Sequence, residues 1–136
     1  MARISELAAR RHAIDDIGAS IASGSYRTAG MIVAPCSIRS LSAIAASAND
    51  NLLVRTADVH LKERRRLVLL VRESPLHLGH LRAMAAVTEI GAIVAPPVPA
   101  FYAQPRSVDE LVDHIARRAI GLLDEDLGVA AREWEG

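Results

Sequence analysis

The sequence predicts one α/β domain in three layers, with helices on both sides of a parallel sheet. Three observations carry this. Short apolar runs at Met31-Ile32-Val33-Ala34, Leu67-Val68-Leu69-Leu70-Val71 and Ala92-Ile93-Val94-Ala95 lack the polar alternation of surface strands, as strands buried on both faces do. The segments between them repeat apolar residues at helical spacing, so strand, helix and strand alternate. The chain has 136 residues, 51% of them hydrophobic, which suits a single domain over 1–136 and leaves no room for a second.

Taken in order, residues 1–29 offer an amphipathic stretch, a short polar His12-Ala13-Ile14-Asp15 and a helix near 16–23, but no strand and no glycine-rich phosphate turn. Open parallel sheets ordinarily begin with both, so the sequence reads as an N-terminally truncated sheet. Its bare edge would then need a second subunit, and a homo-oligomer is expected. The first strand, near 30–34, stops at Pro35. Ser37 then opens a helix with Ile38, Leu41, Ile44, Ala45 and Ala48 on one face. The first backbone N–H groups of that helix lack internal partners and sit at its positive end, so Ser37 to Ser40 is read both as a simple N-cap and as an anion site.

A second helix over 51–64 places Leu53, Ala57 and Leu61 together, and the second strand follows near 67–72. The helix over 78–90 is expected to bury Leu78, Leu81, Met84, Ala85 and Thr88, with Gly91 as its stop. The third strand is placed near 91–95. Pro96-Pro97-Val98-Pro99 with Pro105 forms a stiff loop that sets Phe101 and Tyr102 at the carboxyl end of the sheet. Ser107-Val108-Asp109-Glu110 is a capping box for the last helix, striped by Leu111, Ile115, Ala119 and Leu122.

Composition excludes several classes. Sixteen basic residues balance sixteen acidic ones, against the net basic surface on which nucleic-acid affinity rests. No apolar stretch reaches membrane-spanning length or has signal-peptide flanks, and one cysteine fits a reducing compartment, so a cytoplasmic protein is expected. His77 and His80 share a helix face without a third ligand, and Asp124-Glu125-Asp126 reads as a solvated acidic tail, so no metal is expected.

Ligands of open α/β sheets collect beyond the carboxyl ends of the strands. There the chain places Cys36, Ser37, Arg39 and Ser40, then Arg72, Glu73 and His77, then the prolines and Tyr102. Guanidinium forks and a lysine point charge at Lys62 suit a phosphate ester, while Lys62-Glu63-Arg64-Arg65-Arg66 also reads as a helix end stabilising its own carbonyls.

Four segments together resemble one family. Gly30-Met31-Ile32-Val33-Ala34-Pro35-Cys36-Ser37, Arg55-Thr56-Ala57-Asp58-Val59-His60-Leu61-Lys62-Glu63-Arg64-Arg65, Arg72-Glu73-Ser74-Pro75-Leu76-His77-Leu78 and Pro96-Pro97-Val98-Pro99-Ala100-Phe101-Tyr102 before Gln104-Pro105 are similar, in order and spacing, to the signatures of UbiX-type flavin prenyltransferases. The family's first strand and Gly-Ala-Ser-Gly turn have no counterpart in the sequence. The resemblance implies a flavodoxin-like or Rossmann-like fold. It implies transfer of a dimethylallyl group from dimethylallyl monophosphate to reduced FMN, giving the prenylated FMN used by a separate UbiD-type decarboxylase, often in ubiquinone biosynthesis. The family assembles as a dodecamer and needs no metal. Older descriptions call such proteins aromatic acid decarboxylases.

Carried over by position, the resemblance assigns Ser37, Ile38, Arg39 and Ser40 (threonine is usual at the last) and Arg72 to the flavin. It makes Glu73 the acid that exchanges protons at the flavin edge. It assigns Lys62, Tyr102 and Arg118 to the prenyl phosphate, with Arg55 in the same cationic set and Tyr102 and Arg118 reaching in from a neighbouring subunit. Trp134 matches either a tryptophan of the family's C-terminal tail or a surface anchor. Cys36, at a helix N-terminus, is read as packing against the flavin side in preference to having a depressed pKa. The allylic carbon–oxygen bond breaks to a cation and a phosphate, which explains the fixed positive charge. Two alternatives accompany this reading: a truncated non-catalytic paralogue that assembles with a partner, and the flavin-dependent cysteine decarboxylase branch, whose Pro-Ala-Ser-Ala-Asn-Thr turn differs from Pro35-Cys36-Ser37-Ile38-Arg39-Ser40.

Overall fold

The computed structural model describes residues 2–123. Asp124-Glu125-Asp126 and Trp134 therefore lie outside the described residues. The elements are α1 (Ala2–Leu7), β1 (Met31–Cys36), α2 (Ile38–Ala45), α3 (Leu52–Lys62), β2 (Leu67–Val71), α4 (Leu78–Glu89), β3 (Ile93–Val94) and α5 (Val108–Gly121), with short 3-10 turns at Ser20–Ala22 and Phe101–Ala103. The expected helix near 16–23 is only the first of those turns.

The three strands form one parallel sheet in the order β1-β2-β3. Central β2 is buried at all five positions, which is why its sequence shows no polar alternation. Leu67, Leu69 and Val71 face α2, α3 and α4 with Val33, Leu41, Ile44, Val54, Ala57 and Val87. Val68 and Leu70 face the other way, toward Ala119 and Ile115 of α5 and Leu122 just after it. The three layers follow directly. Each fully buried Leu or Val contributes about 1.5–3 kcal/mol, so β2 with its two flanking layers is the main anchor.

Strand β1 pairs Val33 with Leu69 and Cys36 with Val71, so one extra residue is accommodated between them, at Ala34–Pro35, whose peptide bond is cis. A proline donates no N–H and is tolerated at such a bulge on an edge strand. The bulge carries β1 two residues beyond its expected end and delivers Ser37 directly to α2.

Two expectations are corrected. The third strand is two residues long, because the prolines from Pro96 onward cannot continue the ladder. In α4 the core side is Val87 with Ala83 and Met84, whereas Leu78, Leu81, Ala85 and Thr88 of the expected stripe are exposed. This helix is apolar over more than one face, so its sequence alone does not select the buried one.

Candidate functional site

Because the strands are parallel, β1, β2 and β3 end on one rim, and the segments that follow build the site there. Ser37 caps α2: its Oγ accepts the Ser40 N–H at 3.2 Å and donates to Ser40 Oγ at 3.1 Å. Its carbonyl takes the Leu41 N–H at 2.9 Å, and Ile38 turns its side chain into the core. The N–H groups of Ile38 and Arg39, first in the helix, lack intrahelical partners and point to the rim at the positive end of the dipole. The structure thus shows the N-cap, at the same helix start that the sequence also reads as an anion site.

Arg39 turns aside to Asp50 at 3.0 Å, and this pair brings the start of α3 against the first turn of α2. Asp58 then gathers Arg55 at 3.5 Å and the Asn49 amide at 3.4 Å. Arg55 therefore belongs to a network that joins the two helix starts, with its cation partly neutralised.

After β2, Arg72 and Glu73 are exposed. Glu73 Oε1 accepts the Ser74 N–H at 3.0 Å, which leaves its other oxygen facing outward. Arg72 has no ion-pair partner among the described residues, so its fork is open to an anion. His77 caps α4, its Nδ1 accepting the Gly79 N–H at 2.9 Å while its own N–H donates to His80 Nδ1 at 3.4 Å. The two rings lie 3.6 Å apart. Among the described residues no three His, Cys, Asp or Glu side chains are placed to hold a metal ion.

After β3, the turn at Phe101–Ala103 sets the Tyr102 ring edge-on to His114, 6.5 Å between centres. Beside it runs a groove of about 350 Å³ lined by Ala100, Ala103, Pro105, Leu111, His114 and Arg117. Arg118 follows His114 by one helical turn and so shares its side of α5. The adjacent arginines differ sharply: Arg117 is bound to Asp113 at 2.6 Å, whereas Arg118 has no ion-pair partner among the described residues. Ser107 caps α5 by accepting the Glu110 N–H at 3.2 Å, but the Glu110 carboxylate reaches the Arg106 N–H instead of completing the expected box.

Lys62 is elsewhere. It ends α3, and the turn after it enters the first residue of β2, so it lies at the amino rim, while Arg72 leaves the carboxyl rim of the same strand. Five strand residues separate those rims by about 17 Å. One chain does not bring Lys62 to Arg72, Glu73 or the start of α2. At the amino rim Lys62 pairs with Glu63 at 2.9 Å, which holds the Glu63 carboxyl below its usual range.

Sequence reasoning missed His60. It is buried and tied on both nitrogens, Nδ1 donating to the Thr56 carbonyl at 2.8 Å and Nε2 meeting Thr28 Oγ1 at 2.7 Å. Its place four residues after Thr56 was visible, but its distant partner was not. For Cys36 the packing reading holds and the depressed pKa does not: it sits in the core, and burial pushes its thiol up to about 11. The helix dipole loses there to desolvation.

A protein-family model described as Flavoprotein matches residues 8–120. The flavin prenyltransferase UbiX of Thauera aromatica is 56% identical over 125 residues, 92% of this chain and 64% of that protein. The flavin prenyltransferase UbiX of Neisseria meningitidis serogroup B is 51% identical, the match covering 100% of this chain and 77% of the relative. The chain thus spans about two thirds to three quarters of their length. A crystal structure of AnUbiX (PadA1) in complex with FMN and dimethylallyl pyrophosphate superposes with a TM-score of 0.93 at 48% identity, covering 99% of this chain and 71% of that one. A dodecameric FMN-dependent UbiX-like decarboxylase from Escherichia coli O157:H7 gives 0.90 at 43% identity, covering 99% and 72%.

Proposed function

Because the chain belongs to the family of UbiX-type flavin prenyltransferases, we propose that it takes part in transfer of a dimethylallyl group from dimethylallyl monophosphate to reduced FMN. The observation that carries this is the pairing of an exposed helix start at Ser37–Ser40 with Arg72 on one rim, beside a second guanidinium, Arg118, on the Tyr102 side of α5, neither arginine having an ion-pair partner among the described residues. Two separate anion-binding positions suit two phosphorylated ligands.

The residues present fit a flavin phosphate or ring edge at the carboxyl rim: free N–H groups at a helix N-terminus, the Ser40 hydroxyl and an open arginine fork. Reduced FMN, when bound, would supply the electron-rich ring that takes up the allylic carbon as its carbon–oxygen bond breaks and phosphate leaves. The chain's own part is electrostatic. Tyr102 and Arg118 hold the phosphate, and their fixed charge and dipoles favour the leaving group as its negative charge grows. Glu73, exposed and engaged by one oxygen only, is the group that holds or moves a proton at the rim.

Lys62 joins the phosphate ligands only if another copy brings its amino rim to this site, since about 17 Å of strand separates it from Arg72 within one chain. A homo-oligomer is part of the proposal for that reason. A UbiD-type decarboxylase is the consumer of the product, and a cytoplasmic location fits reduced Cys36 and the lack, among the described residues, of a helix long and apolar enough to cross a membrane.

The test is anaerobic incubation with dithionite-reduced FMN and dimethylallyl monophosphate, followed by mass spectrometry. A flavin heavier by one dimethylallyl group is expected. FMN binding with no new flavin, at saturating ester, would replace this reading by that of a flavin-binding paralogue without transferase activity.

A further inference from the structure

The sequence contains one lysine, Lys62, and its other fifteen basic side chains are arginines. A lysine is a compact point charge, and here a structural reason for compactness is visible. The ammonium and its Glu63 partner lie over Gly24, in the space that a side chain there would fill. A Cβ on Gly24 would overlap Glu63 Oε1 and stand 3.0 Å from Lys62 Nζ. These side-chain ends are the nearest neighbours, and Gly24 is not among the glycines with positive φ, which are Gly30 and Gly91. Its backbone therefore does not require glycine. The room it leaves is what the pair uses.

The loop is also held in place. Arg65 donates to the Tyr26 carbonyl at 2.7 Å and to the Gly24 carbonyl, two acceptors spanned by one planar fork. One turn back on α3, His60 is bonded to Thr28. The 24–28 segment is thus fastened to the end of α3 on both sides of Lys62.

We propose that Gly24 is a positioning residue for Lys62, with Arg65 fixing the Gly24 backbone so that the ammonium is held at one place for a phosphate monoester. This rests on the reading of Lys62 as a phosphate ligand. Gly24→Ala would shift only the ends of flexible side chains, so it moves the charge while sparing the fold.

Selective ¹³C-lysine labelling gives a single side-chain Cε–Hε cross-peak, because the sequence has one lysine. In the parent chain with FMN, dimethylallyl monophosphate is expected to shift that peak saturably. Gly24→Ala should move the free peak and weaken the ester at least tenfold, while Tm stays within about 2 °C and FMN affinity is unchanged. Arg65→Met should act in the same direction. If the parent peak responds and Gly24→Ala matches it in position and affinity, the positioning role is wrong while the reading of Lys62 stands. If the parent peak ignores the ester, the reading of Lys62 fails and the inference with it. A collapse of Tm in Gly24→Ala would assign Gly24 to the fold and overturn the proposal as well.

Discussion

His60 and Thr28, thirty-two positions apart, are joined by a 2.7 Å contact between Nε2 and Oγ1. The Thr56 carbonyl can only accept, so Nδ1 donates to it, and in the tautomer protonated there Nε2 accepts the hydrogen bond of the Thr28 hydroxyl. This sequence-distant bond ties the segment before β1 to the inner face of α3. Thr28→Val should leave a buried ring nitrogen unpaired and cost about 1–3 kcal/mol, read as a lower urea midpoint at unchanged slope.

Thr56 makes the opposite case. Its Oγ1 is buried without a hydrogen-bond partner among the described residues, although its carbonyl serves His60. Thr56→Val removes that unpaired hydroxyl and keeps the shape. It should be neutral or stabilise by about 1 kcal/mol in the same urea experiment, and a loss of that size would mean the hydroxyl has a partner in solution.

Gly30 stands just before β1, and a Cβ there would meet Leu123 Cδ2 at 2.7 Å and the Arg66 carbonyl oxygen at 2.9 Å. The second of these is backbone, whose own Arg66 carbonyl receives the Met31 N–H at 2.9 Å and so cannot retreat without loosening the first rung of the sheet. Gly30→Ala is expected to destabilise by about 1–3 kcal/mol, in contrast to Gly24→Ala, and differential scanning calorimetry of the two variants makes the comparison.

Burial raises the Cys36 thiol from 9.0 to about 11. The folded chain therefore keeps this proton to higher pH than the unfolded chain does. Its contribution to stability is full below pH 9.0 and is lost as pH rises toward about 11. Iodoacetamide should react with Cys36 only as fast as the core opens, and Cys36→Val should flatten the alkaline decline of the urea midpoint. Rapid labelling of the folded chain at neutral pH would contradict this.

Much of this was legible before the structure. A strand buried on both faces must be continuously apolar, so β2 announces itself, and the Ser37 and Ser107 caps are local hydrogen bonds between residues three apart. The sidedness of α4 was not legible, since Leu78 and Leu81 are as apolar as Met84 and Val87 and only packing against α2 selects between them. The placement of Lys62 was partly legible. A helix feeding a parallel strand must end at the amino rim, so Lys62 and Arg72, on opposite ends of the Leu67–Val71 run, had to be separated within one chain. Gly24 was invisible, because its meaning depends on side chains 38 and 39 positions later in the sequence.

The division between the flavin and phosphate positions is tested at Arg72 and Arg118, neither of which has an ion-pair partner among the described residues. Arg72 follows β2 at the rim that includes the start of α2, while Arg118 stands one turn beyond the His114 that faces Tyr102. Arg118→Ala should weaken use of dimethylallyl monophosphate by about thirtyfold, the equivalent of about 2 kcal/mol for one charged contact, and leave FMN affinity nearly unchanged. Arg72→Ala should do the reverse, lowering FMN affinity in a fluorescence titration while the KM for the ester, measured at saturating FMN, changes little. Arg117→Ala is the control, since its guanidinium is already committed to Asp113 at 2.6 Å and should affect neither ligand. If Arg118→Ala abolishes FMN binding and spares prenyl transfer in flavin-saturated protein, the two positions have been assigned the wrong way round.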